Sequence, residues 1–150
     1  MRVMALDVGQ RRIGVALSDP TGTLAHALMV IDRRSKREDS AAIQELVTLH
    51  DVGVIVVGYP RNMNGTAGPQ AEAVARFAAA LERAVSVPLV FWDERLTTRR
   101  AEQLMHEAAH RPPKVRHWAD AVAAAVILQE FLDAGGAKGL SSTTERGGDP

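Results

Sequence analysis

Apolar positions along this chain switch between a period of two and a period near 3.6, and the switches lay out the elements. Val3 and Ala5 alternate with Met4 and Leu6 on the way to Asp7, and Ile13, Val15 and Leu17 repeat the pattern in return. This predicts a hairpin whose turn carries Gly9, Arg11 and Arg12, with Gly14 keeping the second strand slim. A third strand is expected from Leu24 to Ile31. Ala42, Ile43, Leu46, Val47 and Leu49 then fall at helical spacing, so a helix is predicted from about Ser40 to His50, capped by Asp39 or Ser40. The β-branched run from Val52 to Gly58 reads as a central strand covered on both faces and ended by Pro60. Arg61 to Pro69 reads as a polar loop centred on Asn64-Gly65.

Pro69 leads into an alanine-rich helix reaching about Ala84, with Val74, Phe77, Ala78, Leu81 and Val85 as its packing stripe. Val87 to Trp92 is a short strand that delivers Asp93 and Glu94 at its end. Thr97 or Thr98 caps a further helix to about Ala108, and the double proline between His110 and His117 resists regular structure. Trp118 to Leu132 is the last helix, with Ala121, Val122, Ala125, Leu128 and Leu132 facing inward. Three consecutive strands followed by helix-linked ones predict an α/β fold, a mixed five-stranded sheet with helices on both faces. Residues 1–133 are expected to form one domain. The segment 134–150 holds five glycines and almost no large apolar residue, and is expected to be disordered.

A chain of 150 residues buries most of its apolar surface without staples. It has no cysteine, which excludes disulfides, zinc-thiolate sites and a thiol nucleophile, and fits a reducing compartment. No leader pattern and no membrane-length apolar run is present, so a soluble cytoplasmic protein is expected. The 18 basic and 18 acidic side chains cancel, and bulk charge does not advertise nucleic acid. Distribution is more telling. Fifteen of the basic residues are arginine, the residue suited to bidentate phosphate recognition. Arg33, Arg34, Lys36 and Arg37 form one cluster; Arg95, Arg99, Arg100, Arg111, Lys114 and Arg116 form another, interspersed with His106, His110 and His117.

Three acids stand at element ends: Asp7 after the first strand, Glu94 after the last, and Asp120 in the first turn of the final helix. In a compact α/β layer these ends can converge, and converging carboxylates are costly unless a hard cation joins them. Mg²⁺ or Mn²⁺ would relieve that cost and suit chemistry on a phosphate. Each acid also has a plain structural role available. Asp7 can cap a turn, Asp120 sits favourably at a helix start, and Glu94 can pair with Arg95 or Arg99. Spacing alone does not choose between Asp93 and Glu94.

Four ordered blocks carry a resemblance: DVGQRRIGVALSD (7–19), VIVVGYPRNMNGTAGPQA (54–71), FWDERLTTRRAE (91–102) and DAVAAAVILQEFLD (120–133). Together they resemble the YqgF/RuvX family, bacterial Holliday-junction-resolvase-like proteins also described as pre-16S rRNA nucleases. The likeness spans about residues 1–133. It implies a ribonuclease-H-like fold and divalent-metal-dependent phosphodiester hydrolysis with Mg²⁺ or Mn²⁺. By motif, Asp7, Glu94 and Asp120 match the family's catalytic, metal-binding acids, which favours Glu94 over Asp93. Arg12 matches the arginine of the first turn and Arg95 follows the catalytic acid, making both candidates for phosphate contact. Arg99, Arg100, Arg111, Lys114 and Arg116 would hold flanking backbone. Asn64 stands where the family often has aspartate, and His117-Trp118 depart from its more basic or aliphatic pattern.

The resemblance implies a structured nucleic acid as partner: precursor rRNA, with the assembling small ribosomal subunit, or branched DNA. Symmetric cutting of a junction would call for a homodimer, and the residues do not choose between monomer and dimer. A non-catalytic ribosome-maturation factor is the alternative of a different class, and the three retained acids argue against it. The DVG turn also resembles the phosphate loop of actin-like ATPases, but one domain of this size lacks their second lobe.

Overall fold

Alternating side chains build the sheet almost as the pattern predicts. Strands β1 (Arg2–Val8), β2 (Arg12–Ser18) and β3 (Ala25–Asp32) follow one another, then helix α1 (Lys36–Leu49), β4 (Val52–Tyr59), helix α2 (Pro69–Ala84), β5 (Leu89–Asp93) and helix α3 (Trp118–Asp133). The computed structural model describes residues 1–60, 68–93 and 118–136. The polar loop after Pro60, the helix expected near 97–108, the double-proline segment and most of the glycine-rich tail lie outside the described residues.

The strands lie in the order β3-β2-β1-β4-β5. β1 pairs antiparallel with β2, and β2 with β3; β1 pairs parallel with β4, and β4 with β5. The mixed five-stranded sheet is therefore the one expected. β1 is flanked on both sides and its residues Val3 to Leu6 are fully buried.

The two faces of the sheet are built differently. On one, Met4, Leu6, Val8, Ile13, Val15, Ile55 and Val57 pack against Ile43 and Val47 of α1 and Val74, Phe77 and Leu81 of α2. On the other, Val3, Ala5, Ala16, Val54 and Val56 meet Ala124, Ala125, Ile127, Leu128 and Phe131 of α3. Alanine recurs on both sides of the second interface, so α3 lies close to the strands. Trp92 of β5 adds an edge-to-face contact with Phe131, ring centroids 5.7 Å apart. The buried Gln129 amide bridges α3 to the start of β3, accepting from Ala25 N–H and donating to the Thr23 carbonyl, each at 3.0 Å. Among the described residues, no helix is long and apolar enough to cross a membrane.

Several boundaries differ from the pattern. α1 starts at Lys36, capped by Ser35, whose hydroxyl accepts from Glu38 N–H at 3.1 Å. Neither Asp39 nor Ser40 is the cap, because Lys36 to Asp39 form a polar first turn that apolar spacing does not register. Leu49, expected on the packing stripe, is 75% exposed at the end of α1. β5 begins at Leu89 rather than Val87, although Val87 still packs partly against the core.

Candidate active site

Strand register brings two of the expected acids together. Asp7 shares its face of β1 with Val3 and Ala5, the face covered by α3. Its cross-strand partner is Gly14 of β2. A Cβ built on Gly14 would lie 1.8 Å from the Asp120 carbonyl oxygen and 2.9 Å from Ala121 N. The first turn of α3 thus rests directly on the Gly14 backbone, a position closed to any side chain. That seating carries Asp120 to the end of β1 beside Asp7.

The pair is electrostatically strained. Burial, and then the negative charge of Asp120, push the Asp7 carboxyl up from 3.8 to about 6. Arg12 answers part of the charge. It opens β2 on the same face as Gly14, and its Nε donates to Asp120 Oδ2 at 2.9 Å. A cleft of about 280 Å³, lined by Gly9, Gln10, Arg11, Arg12 and Asp120, opens beside this ion pair.

The turn between β1 and β2 is braced from behind. Gly9 N–H donates to the Arg12 carbonyl at 2.9 Å and Arg33 N–H to the Arg11 carbonyl at 2.8 Å. The Arg33 side chain donates from Nη1 to the Gly9 carbonyl at 2.7 Å and lies over the Phe77 ring, 5.0 Å from its centroid. Its Nε forms a 3.6 Å ion pair with the buried Asp39, whose other oxygen accepts from Arg34 N–H at 3.0 Å. Sequence reasoning placed Arg33 in a basic surface cluster and missed this role. No spacing signal distinguishes an arginine that props a turn from one that faces solvent.

Asp93 ends β5 opposite Tyr59. Strand alternation places it with Phe91, whose ring meets that of Tyr59 at a 55° tilt with centroids 5.0 Å apart, on the α1–α2 side. Trp92 points to the α3 side instead. Asp93 and Asp7 therefore belong to opposite faces of the sheet, and Asp93 does not join the Asp7–Asp120 pair. Glu94, Arg95, Arg99, Arg100, Arg111, Lys114 and Arg116 lie outside the described residues. Among the described residues no group of three metal-ligating side chains occurs. The two oxygen-donor acids, one of them raised by burial and then by the charge of the other, nevertheless suit a hard divalent cation.

A half-buried acid at the end of a central strand, a second acid seated on a glycine and an arginine paired with that second acid sit on the blocks that matched at the level of motif. The family model described as RuvX, Holliday junction resolvase, matches residues 1–134. This chain belongs to the RuvX family. Among its relatives in the RuvX family, a Moorella thermoacetica protein named "Putative pre-16S rRNA nuclease" is 51% identical over 140 residues, covering 93% of this chain and 100% of that one. A Thermoanaerobacter pseudethanolicus protein of the same name is 46% identical over 134 residues, covering 89% and 96%. The solved structure of T. thermophilus RuvC in complex with Holliday junction substrate matches with a TM-score of 0.60 and 17% identity, covering 89% of this chain and 94% of that one. At that identity the likeness speaks for the fold alone, and it agrees with the ribonuclease-H-like sheet expected for RuvX.

Proposed function

We propose that this protein is a divalent-metal-dependent nuclease that hydrolyses phosphodiester bonds in precursor 16S rRNA during maturation. The observation that carries the chemistry is the seating of Asp120 beside Asp7 across Gly14, with Arg12 at the same cleft. The observation that carries the substrate is the shared name of relatives 43–51% identical along nearly the whole chain.

Asp7 and Asp120, with Glu94 as third acid, would hold Mg²⁺ or Mn²⁺. When bound, such an ion supplies the positive charge that acidifies an attacking water and stabilises the leaving oxygen. Arg12 and Arg95 orient the scissile phosphate through its non-bridging oxygens. Arg99, Arg100, Arg111, Lys114 and Arg116 grip flanking backbone, adding affinity and salt dependence without choosing sequence. Cleavage leaves a 5′-phosphate and a 3′-hydroxyl. The partner is structured RNA within an assembling small subunit, and the protein works in the cytoplasm.

The test is sequencing of 16S rRNA ends after depletion, with restoration of wild type or Asp120→Asn. Precursor cleared by wild type and retained by the variant supports catalysis. Clearance by both supports a non-catalytic maturation factor. The family description favours a second reading, a Holliday-junction nuclease acting on branched DNA. Unchanged rRNA ends, together with metal-dependent cutting of four-way junctions by the purified protein, would select that reading.

A further inference from the structure

Arg12 is committed to an acid that the nuclease reading assigns to a cation. Its Nε donates to Asp120 Oδ2 at 2.9 Å, on the side of Asp120 that faces the cleft. The rest of the residue is held in place. Its carbonyl accepts from Gly9 N–H, its backbone is paired to Asp32 of β3, and the preceding carbonyl accepts from Arg33 N–H. Freedom is confined to the side chain. The Arg12 and Asp120 side chains are 36% and 37% exposed, so water reaches the pair and either partner can be rehydrated when they part. The neighbouring cleft, with Gly9 and Gln10 on its wall, offers room to swing without moving the backbone. Two adjacent acids and one partly exposed arginine make a site whose charge is balanced only in part.

We propose that Arg12 is an exchangeable counter-ion: it neutralises Asp120 while the site holds no divalent ion, and gives up Asp120 for a substrate phosphate oxygen when the ion is bound. The inference rests on the metal-dependent reading above and adds a coupling that this reading does not contain. Metal and Arg12 compete for one carboxylate, so the ion pair lowers the affinity for metal alone. A phosphate that draws Arg12 away removes the competitor, and by reciprocity bound metal strengthens phosphate binding. Loading of the ion and docking of the substrate then favour each other, while the unloaded site stays assembled around its internal cation.

The experiment is a Mn²⁺ titration of the full chain without nucleic acid, with free Mn²⁺ followed by electron paramagnetic resonance. Wild type is compared with Arg12→Gln and with Arg11→Gln, which removes the same charge from the same cleft wall without touching the 2.9 Å bond. Arg12→Gln is expected to bind Mn²⁺ about 3- to 10-fold more tightly than wild type, the range set by losing one partly exposed, charge-assisted competitor. Arg11→Gln is expected to stay within about 2-fold, as an exposed charge outside the ion pair does. The rise in melting temperature on adding Mn²⁺ gives a second readout and should be largest for Arg12→Gln. Equal tightening in both variants would reduce the effect to net charge and overturn the exchange. Weaker binding by Arg12→Gln would make Arg12 a support of the metal site, and overturn it as well. Absence of Mn²⁺ binding in all three proteins would instead remove the metal reading itself, and the exchange with it.

Discussion

Replacing Asp7 by Asn should abolish cleavage and, in the absence of divalent ions, stabilise the fold. Ordinary loss-of-function substitutions do not predict the second half. Asp7 is pushed from 3.8 to about 6, first by burial and then by Asp120. Each unit of such a shift corresponds to about 1.4 kcal/mol between the two protonation states, so the ionised carboxylate carries roughly 3 kcal/mol of strain in the native protein. The sign follows from proton counts. Below about pH 3.8 Asp7 is protonated in both the folded and unfolded chain, and the strain is absent. Between there and about pH 6 the folded protein keeps a proton that the unfolded chain has lost, so stability falls as pH rises. Above that window the full cost is present. Asn keeps the size of the side chain and never ionises.

Urea unfolding followed by circular dichroism, in EDTA at pH 4, 5, 6 and 7, reads this directly. The variant and wild type should nearly coincide at the acid end. At pH 7 the variant should be more stable by about 1–3 kcal/mol, the lower figure allowing for solvent screening at a half-buried site. Saturating Mg²⁺ should shrink the gap, because an ion that binds only the native wild type stabilises it by mass action. A gap that is the same at every pH would refute the reasoning, since only titration of Asp7 makes it grow. So would a wild type more stable than the variant at pH 7.

Gly14→Ala should cost about 1–3 kcal/mol or more in urea and abolish cleavage, because the new methyl would lie 1.8 Å from the Asp120 carbonyl and must displace the start of α3; a variant of wild-type stability and turnover would contradict that seating. Arg33→Ala should cost about 2–4 kcal/mol by stripping the Gly9 carbonyl of its donor and the buried Asp39 of its cation. With the turn loosened, KM for a cleavable oligonucleotide should rise beyond what loss of folded protein explains, and Arg33→Lys should restore part of it. Arg99→Ala, Arg100→Ala and Arg116→Ala should each weaken several nucleic acids alike and flatten the slope of log affinity against log salt by about one. An unchanged slope would make these arginines a solvated face.

Much of the fold was legible because its signals are local and periodic. β1 and β2 could be read from alternation and β4 from its β-branched run, and the order of elements limited the topology to a mixed sheet. The polar first turn of α1 was not legible, since Lys36 to Asp39 carry no apolar stripe and Asp39 is buried through its link to Arg33, not through hydrophobicity. The site divides the same way. Asp7 and Asp120 stood out by position, and Arg12, which shares its basic turn with Arg11, by its motif. The motif already favoured Glu94 over Asp93; that Asp93 shares the α1–α2 face emerges only with the sheet, because alternation tells which residues share a face and not which helices cover it. Glu94 rests on its motif. Gly14 looked like a slim strand position, and its true neighbour lies more than a hundred residues away in the chain.

That long-range contact explains why two acids meet at this end of the sheet. Small side chains at Ala5, Ala16, Ala124 and Ala125 let α3 settle closely on β1 and β2, and Gly14 extends the same close packing to the helix's first turn. Close packing is stabilising where the surfaces are apolar. Carried one turn further, to Asp7 and Asp120, it brings two acids together, and burial followed by the charge of Asp120 pushes Asp7 toward its neutral form. The opposite face, filled by Phe77, Leu81 and Ile43, keeps the strands from yielding to that repulsion, and Arg33 ties the same face to the turn. A rigid pair of crowded acids binds a divalent cation more tightly than a flexible pair, because the repulsion the ion relieves is already present before it arrives.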